Sequence, residues 1–114
     1  YRLADMAGGW FVGAFKPAAL ATKICEVAVK THKTQDEWPS HYQRTATEVN
    51  VLLEGRMRID ILNEAGKIIS GKAFRAGDVF VIEPGEVAHP RFYSDVKLVV
   101  VKVPSDPKDK VVVG

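Results

Sequence analysis

Valine and isoleucine run along this chain in short clusters, broken by Gly, Pro, Asn or Asp at intervals of roughly eight to twelve residues, the spacing of an all-β sandwich or barrel. No long stretch keeps a 3.6-residue apolar period. The pattern predicts strands over residues 10–15, 22–32, 47–53, 56–62, 67–70, 79–82, 87–93 and 97–103, with a last edge strand at 111–113. In the second of these, Cys25, Val27 and Val29 form one face and Glu26, Ala28 and Lys30 the other. Cys25 reads as a small core side chain. Glu54-Gly55 reads as the tight turn of a hairpin joining two strands. Val79–Ile82 is apolar at every position and reads as a strand buried on both faces. Residues 33–40 are a polar loop, and one short helical turn is expected near Pro17.

The fold expected is all-β, a small antiparallel barrel or jelly roll, as one domain over residues 1–114. Composition adds exclusions. Hydrophobic residues are 46% and charged residues 26%, ordinary for a globular protein. A formal charge of +2 with no basic run argues against nucleic acid or an anionic membrane as partner. One cysteine permits no internal disulfide, and a reducing cytoplasm is the expected setting. No segment reads as a signal peptide, and no apolar run approaches the ~20 residues of a membrane span.

Candidate chemistry gathers between His41 and Gly55. On a strand, residues two apart share a face, so His41 and Gln43 share one, and Glu48, Asn50 and Leu52 share another. If those faces meet, an imidazole, two amides and a carboxylate converge. Buried without a partner, Glu48 would be costly, so it must find a cation, His41 or a solvated pocket. Gln43 and Asn50 are hydrogen-bonding amides suited to hydroxyl or carboxylate ligands. Further on, Arg91 and Tyr93 share the face of His89, where Arg91 is either an anion clamp or a solvated surface residue. Trp10, Trp38 and Phe80 read as core or interface aromatics.

Two motifs stand in order along residues 35–55 and 77–92. His41-x-Gln43, four residues, Glu48, six residues and Gly55 resemble the first motif of the cupin superfamily. Gly77, the apolar run to Ile82, Pro84-Gly85 and His89 resemble the second. The resemblance spans residues 22–103 and implies a jelly-roll barrel. It also implies a divalent metal (Fe, Mn, Ni or Zn) inside the barrel, on His41, Glu48 and His89 with Gln43 as fourth ligand. The sequence departs from the pattern on the ligands. Gln43 replaces a histidine, His89 lies one residue late with Ala88 in its place, and Gln35 stands where the first glycine belongs. The resemblance further implies a homodimer, with the N-terminal strand of residues 1–15 in its interface. Three readings of function stay open. One is an enzyme acting on a small carbohydrate or acid, through the metal or through proton transfer by His41 and Glu48. The second is a non-catalytic module binding such a ligand through Gln43, Glu48, Asn50 and Arg91. The third is a structural protein with an inert pocket.

Overall fold

The computed structural model describes residues 1–113. Two short 3-10 turns, Leu3–Asp5 and Ala7–Gly9, precede eleven strands. These are β1 (Trp10–Gly13), β2 (Leu20–Ala21), β3 (Glu26–His32), β4 (His41–Gln43), β5 (Thr47–Glu54) and β6 (Arg56–Leu62). They continue as β7 (Ile68–Arg75), β8 (Val79–Ile82), β9 (Val87–Phe92), β10 (Val96–Val103) and β11 (Lys110–Val112). The strands form a six-stranded sheet, ordered β2-β1-β3-β10-β5-β8, and a five-stranded sheet, ordered β11-β4-β9-β6-β7. All neighbours pair antiparallel except β1 with β2. The all-β jelly roll expected from the sequence is therefore present. No helix among the described residues is long and apolar enough to cross a membrane, and where a helical turn is expected near Pro17 the chain bends over residues 14–17 and leads into β2.

The core lies between the sheets. Leu52, Phe80, Ile82, Leu98 and Val100 from the six-stranded sheet meet Met57, Ile59, Ala88 and Phe92 from the other. Period-two alternation places them there: along β5, Glu48, Asn50 and Leu52 are buried while Val49 and Val51 face outward.

Two expectations are corrected, and a third point that alternation left open is decided. First, β5 and β6 do not form a hairpin. β5 pairs with β10 and β8, whereas β6 pairs with β7 and β9, so Glu54-Gly55 turns the chain from one sheet to the other. Second, β8 is an edge strand buried on one face only. Phe80 and Ile82 point into the core, while Val79 and Val81 are 61% and 51% exposed. Third, the inward face of β3 is Glu26-Ala28-Lys30-His32, and the Val27-Val29 face lies on the outside. Valine on that side meets other valines. In register across the six-stranded sheet stand Leu20, Val12, Val27, Val101, Val49 and Val81, with Val29, Val99, Val51 and Val79 in the next row.

Candidate functional site

A cavity of about 350 Å³ opens between the sheets. Its floor is apolar, built from buried Ile59, Phe80, Phe92, Leu98 and Val100. Exposed Ala7, Lys16, Asp106 and Lys110 mark the mouth. The polar wall carries His41 from β4 and Glu48 and Asn50 from β5, so the faces of the two strands meet as the two-residue period requires. Asn50 Nδ2 donates to Glu48 Oε2 at 3.1 Å, orienting the carboxylate. His41 Nδ1 lies 3.2 Å from the carbonyl oxygen of Pro39. A carbonyl only accepts, so Nδ1 carries the proton and Nε2 keeps its lone pair. Burial lowers the His41 pKa below the ordinary histidine value; the Pro39 carbonyl and Glu48 oppose this, and Lys110 and Lys102 add to it. The neutral ring is a hydrogen-bond acceptor and a competent base at neutral pH.

The remaining predicted residues lie elsewhere. Across β6 and β9 the register is regular, with Ile61 opposite Ala88 and Asp60 opposite His89. No bulge intervenes, so Ala88 faces the cavity and His89 faces out. There His89 Nδ1 meets Ser40 Oγ at 2.9 Å. Arg91 shares that outer face. Its Nε lies 3.3 Å from Asp60 Oδ2, and Arg58 Nε holds Asp60 Oδ1 at 2.8 Å, so both guanidinium groups satisfy one buried carboxylate. Arg91, Tyr93 and His89 line a groove outside the barrel. Gln43 is 3% exposed, does not line the cavity, and neither Oε1 nor Nε2 of its amide has a hydrogen-bond partner among the described residues.

Of the four predicted metal ligands, the cavity therefore keeps His41 and Glu48. Among the described residues no three His, Cys, Asp or Glu side chains gather as a metal site. Lys102 and Lys110 act on His41 with positive charge, which opposes a second cation. This donor set does not fit a four-ligand divalent centre.

The wall also contains residues that the sequence reading passed over: Glu26, Lys30 and His32 from β3, Lys102 from β10 and Lys110 from β11. Glu26 accepts from Ser105 Oγ at 3.0 Å. His32 stacks on Phe92 at 4.3 Å and meets Trp38 edge-on at 4.8 Å. Burial is the main cause that lowers the His32 pKa, with Lys30 adding to it. In the unfolded chain His32 and His41 take up protons near 6.5. The folded chain resists those protons, so stability should fall as pH drops below that value. The urea midpoint is expected to be lower at pH 5.5 than at pH 7.5, and His32→Phe should flatten the difference. A midpoint unchanged between the two would contradict this account of the buried rings.

No family model matches the chain, and no curated protein matches it by sequence. Solved structures do match. DMSP lyase DddQ from Ruegeria pomeroyi superposes with a TM-score of 0.74 at 16% identity, over 90% of this chain and 49% of that one. A Klebsiella pneumoniae protein with a double-stranded β-helix domain gives 0.70 at 16% identity, over 98% and 88%. A cupin-2 domain protein of Shewanella frigidimarina gives 0.60 at 17% identity, over 72% of each chain. The chain spans 22% of the length of the coconut allergen cocosin, another match. At these identities the likeness is one of fold, and the fold of this chain is the cupin double-stranded β-helix.

Proposed function

We propose that this chain binds a small polar organic molecule inside the barrel, with His41 and Glu48 placed to exchange a proton with it. The observation that carries this reading is the convergence of a neutral imidazole and an oriented carboxylate on one cavity with an apolar floor. A concave, mostly apolar site with a few fixed polar groups is the usual form of a small-molecule site. Carbohydrates and small acids are the two ligand classes to test. Thermal shift against a panel of both should give a hit that Glu48→Gln and His41→Asn weaken at least tenfold. A cavity that answers to neither class contradicts the reading.

The second reading is a metal-dependent enzyme: two good metal donors, His41 and Glu48, share one cavity wall, and the ligand would have to complete the coordination that this chain's own residues do not. Solved structures of this fold include oxalate oxidase, 20% identical over 99% of this chain. Stoichiometric Fe, Mn, Ni or Zn in untagged protein, lost on His41→Ala, would establish it. Metal-free protein after reconstitution would end it.

The partner we infer for the outer face of the six-stranded sheet is a second copy of the chain. The outward positions of this sheet are valines and Leu20 in register, part-exposed at the centre of the face and more than half exposed at Leu20, Val79 and Val81. Six strands spaced ~4.8 Å apart make a face about 24 Å wide, of which only β3, β10 and β5 run about 24 Å in length, so the face falls below the ~800 Å² per partner of a standard interface and suits a weaker pairing. Lys97, Glu54 and Thr31, in register beyond the valine rows, give it a polar rim. An isologous pairing would bury valine on valine without a charge at its centre. Light scattering should return twice the 12.6 kDa chain mass. Val81→Lys, at an exposed edge position, should return the single mass with unchanged circular dichroism. A monomeric wild type would refute the interface.

A further inference from the structure

Four lysines line the cavity that holds His41 and Glu48; Lys16 is exposed at the mouth, and the other three are Lys30 from β3, Lys102 from β10 and Lys110 from β11. Strands of both sheets supply them. Each is set over an indole. Lys30 Nζ and Lys102 Nζ lie 5.3 Å and 4.8 Å from the Trp10 ring centre, and Lys110 Nζ lies 5.1 Å from that of Trp38. Cation–π contact steadies these long side chains at the cavity wall and leaves their N–H donors available.

None of the three forms an ion pair among the described residues. The cavity does hold carboxylates. Lys102 stands in register between Glu26 and Glu48 on the neighbouring strands. Glu26 accepts from Ser105 and Glu48 from Asn50, neutral donors that leave both carboxylates charged, and Asp106 is exposed at the mouth, so three carboxylates stand against four lysines in the cavity lining. The amines also burden one another. Partial burial, then the charges of Lys110 and Lys102, lower the Lys30 pKa. Burial and Lys102 lower that of Lys110, against the opposing pull of Glu48. An anion placed among them would relieve that repulsion.

Beneath the amines the floor offers hydrocarbon and aromatic surface rather than the donors and acceptors that a sugar's hydroxyls require. Resting on the proposed small-molecule reading, we propose that the ligand is an amphipathic organic acid. Its carboxylate sits among Lys30, Lys102 and Lys110, and its apolar body lies on Ile59, Phe80 and Leu98. The lysines supply the positive charge that a metal would supply in a four-ligand site. They leave His41 Nε2 to act on the atoms next to the carboxylate, with Glu48 oriented on the same wall by Asn50. A volume of about 350 Å³ suits a short acyl chain or a single ring.

The test is a calorimetric titration of the full chain with octanoate, phenylacetate and their uncharged amides, octanamide and phenylacetamide, and with inorganic phosphate. The acids should bind at least tenfold more tightly than the amides, and phosphate, which lacks an apolar body, more weakly than either acid. Trp10 and Trp38 fluorescence should change on binding, because the lysines rest on those rings. Lys30→Gln with Lys110→Gln should remove the preference for acid over amide while amide binding persists. Lys30→Arg with Lys110→Arg should retain it. Equal binding of acid and amide by the wild type would overturn the proposal and leave the small-molecule reading standing. So would a preference that survives the glutamine substitutions. Binding of none of the acids and amides would overturn the proposal, and would overturn the small-molecule reading as well if the carbohydrate panel also gave no hit.

Discussion

Replacing Asp109 with alanine is expected to lower stability by about 3 kcal/mol, since bonds to a buried charged acceptor are the stronger kind and their loss strands the donors. Asp109 is 3% exposed and stands just before β11. Its carboxylate accepts from the Thr45 N–H at 3.0 and 3.1 Å, the Thr45 hydroxyl at 2.7 Å and the Ala46 N–H at 2.9 Å. Its own carbonyl accepts from the Arg44 N–H at 3.1 Å. Burial works to raise its pKa. The Ala46 N–H and the Thr45 donors outweigh burial and hold the carboxyl below the usual aspartate value. Alanine would leave the Thr45 and Ala46 amides without partners where β4 gives way to β5. Asparagine, which keeps one acceptor, should cost about half as much. Because Lys110 follows directly, Asp109→Ala should also loosen that lysine and weaken acid binding. Urea denaturation gives the first effect and amide exchange along β11 the second. An Asp109→Ala chain within about 0.5 kcal/mol of wild type, the range of an ordinary surface change, would refute this anchoring.

Gly55→Ala is expected to cost more than about 3 kcal/mol, because it combines a strained backbone with a collision. Gly55 has φ +91°. A Cβ there would run into the carbonyl oxygen of Asp95, and would lie 2.8 Å from both Ser94 Oγ and Val96 Cγ1. The backbone oxygen cannot swing aside as a side chain does. Gly77 is the control. It has a similar φ of +95° but nothing near its Cβ direction, so Gly77→Ala should cost only about 1 kcal/mol. Thermal midpoints of the two variants, measured side by side, separate steric need from conformational preference. Equal midpoints would mean that the corner between the sheets is not closed around Gly55.

The same corner shows what the sequence conveyed and what it withheld. Strand positions followed from valine, isoleucine and glycine punctuation: β6 and β8 span the residues expected, and the Glu48-Asn50-Leu52 face lies where alternation puts it. Pairing is not local. A two-residue turn between apolar strands looks the same whether it closes a hairpin or carries the chain between sheets, and Gly55 does the second. Alternation also leaves inside and outside undetermined. In β3 the more apolar face turned out because a neighbouring valine ladder lay there, and Lys30 and His32 turned in. Glu26, Lys30 and Lys102 were visible as charges interrupting valine-rich strands, a signal that becomes legible once the register places them on one wall.

The individual site residues divide along similar lines. His41, Glu48 and Asn50 meet because two strands present the faces that their spacing predicts. His89 does not join them, since one residue of offset without a bulge reverses a side chain. Arg91 is held by Asp60, a partner thirty-one positions earlier in the chain that no local pattern reveals. Gln43 lies in β4, and its amide is left without a partner in the interior among the described residues. Replacing it with the similarly shaped Leu should raise stability by about 1 kcal/mol, as removal of a buried unpaired polar group does.

The most direct measurement is a crystal structure of the chain grown with octanoate. The account predicts the carboxylate within hydrogen-bond distance of at least two of Lys30, Lys102 and Lys110, and the acyl chain on Ile59, Phe80 and Leu98. A metal ion on His41 and Glu48 with the lysines turned away, or octanoate bound outside the barrel, would contradict it.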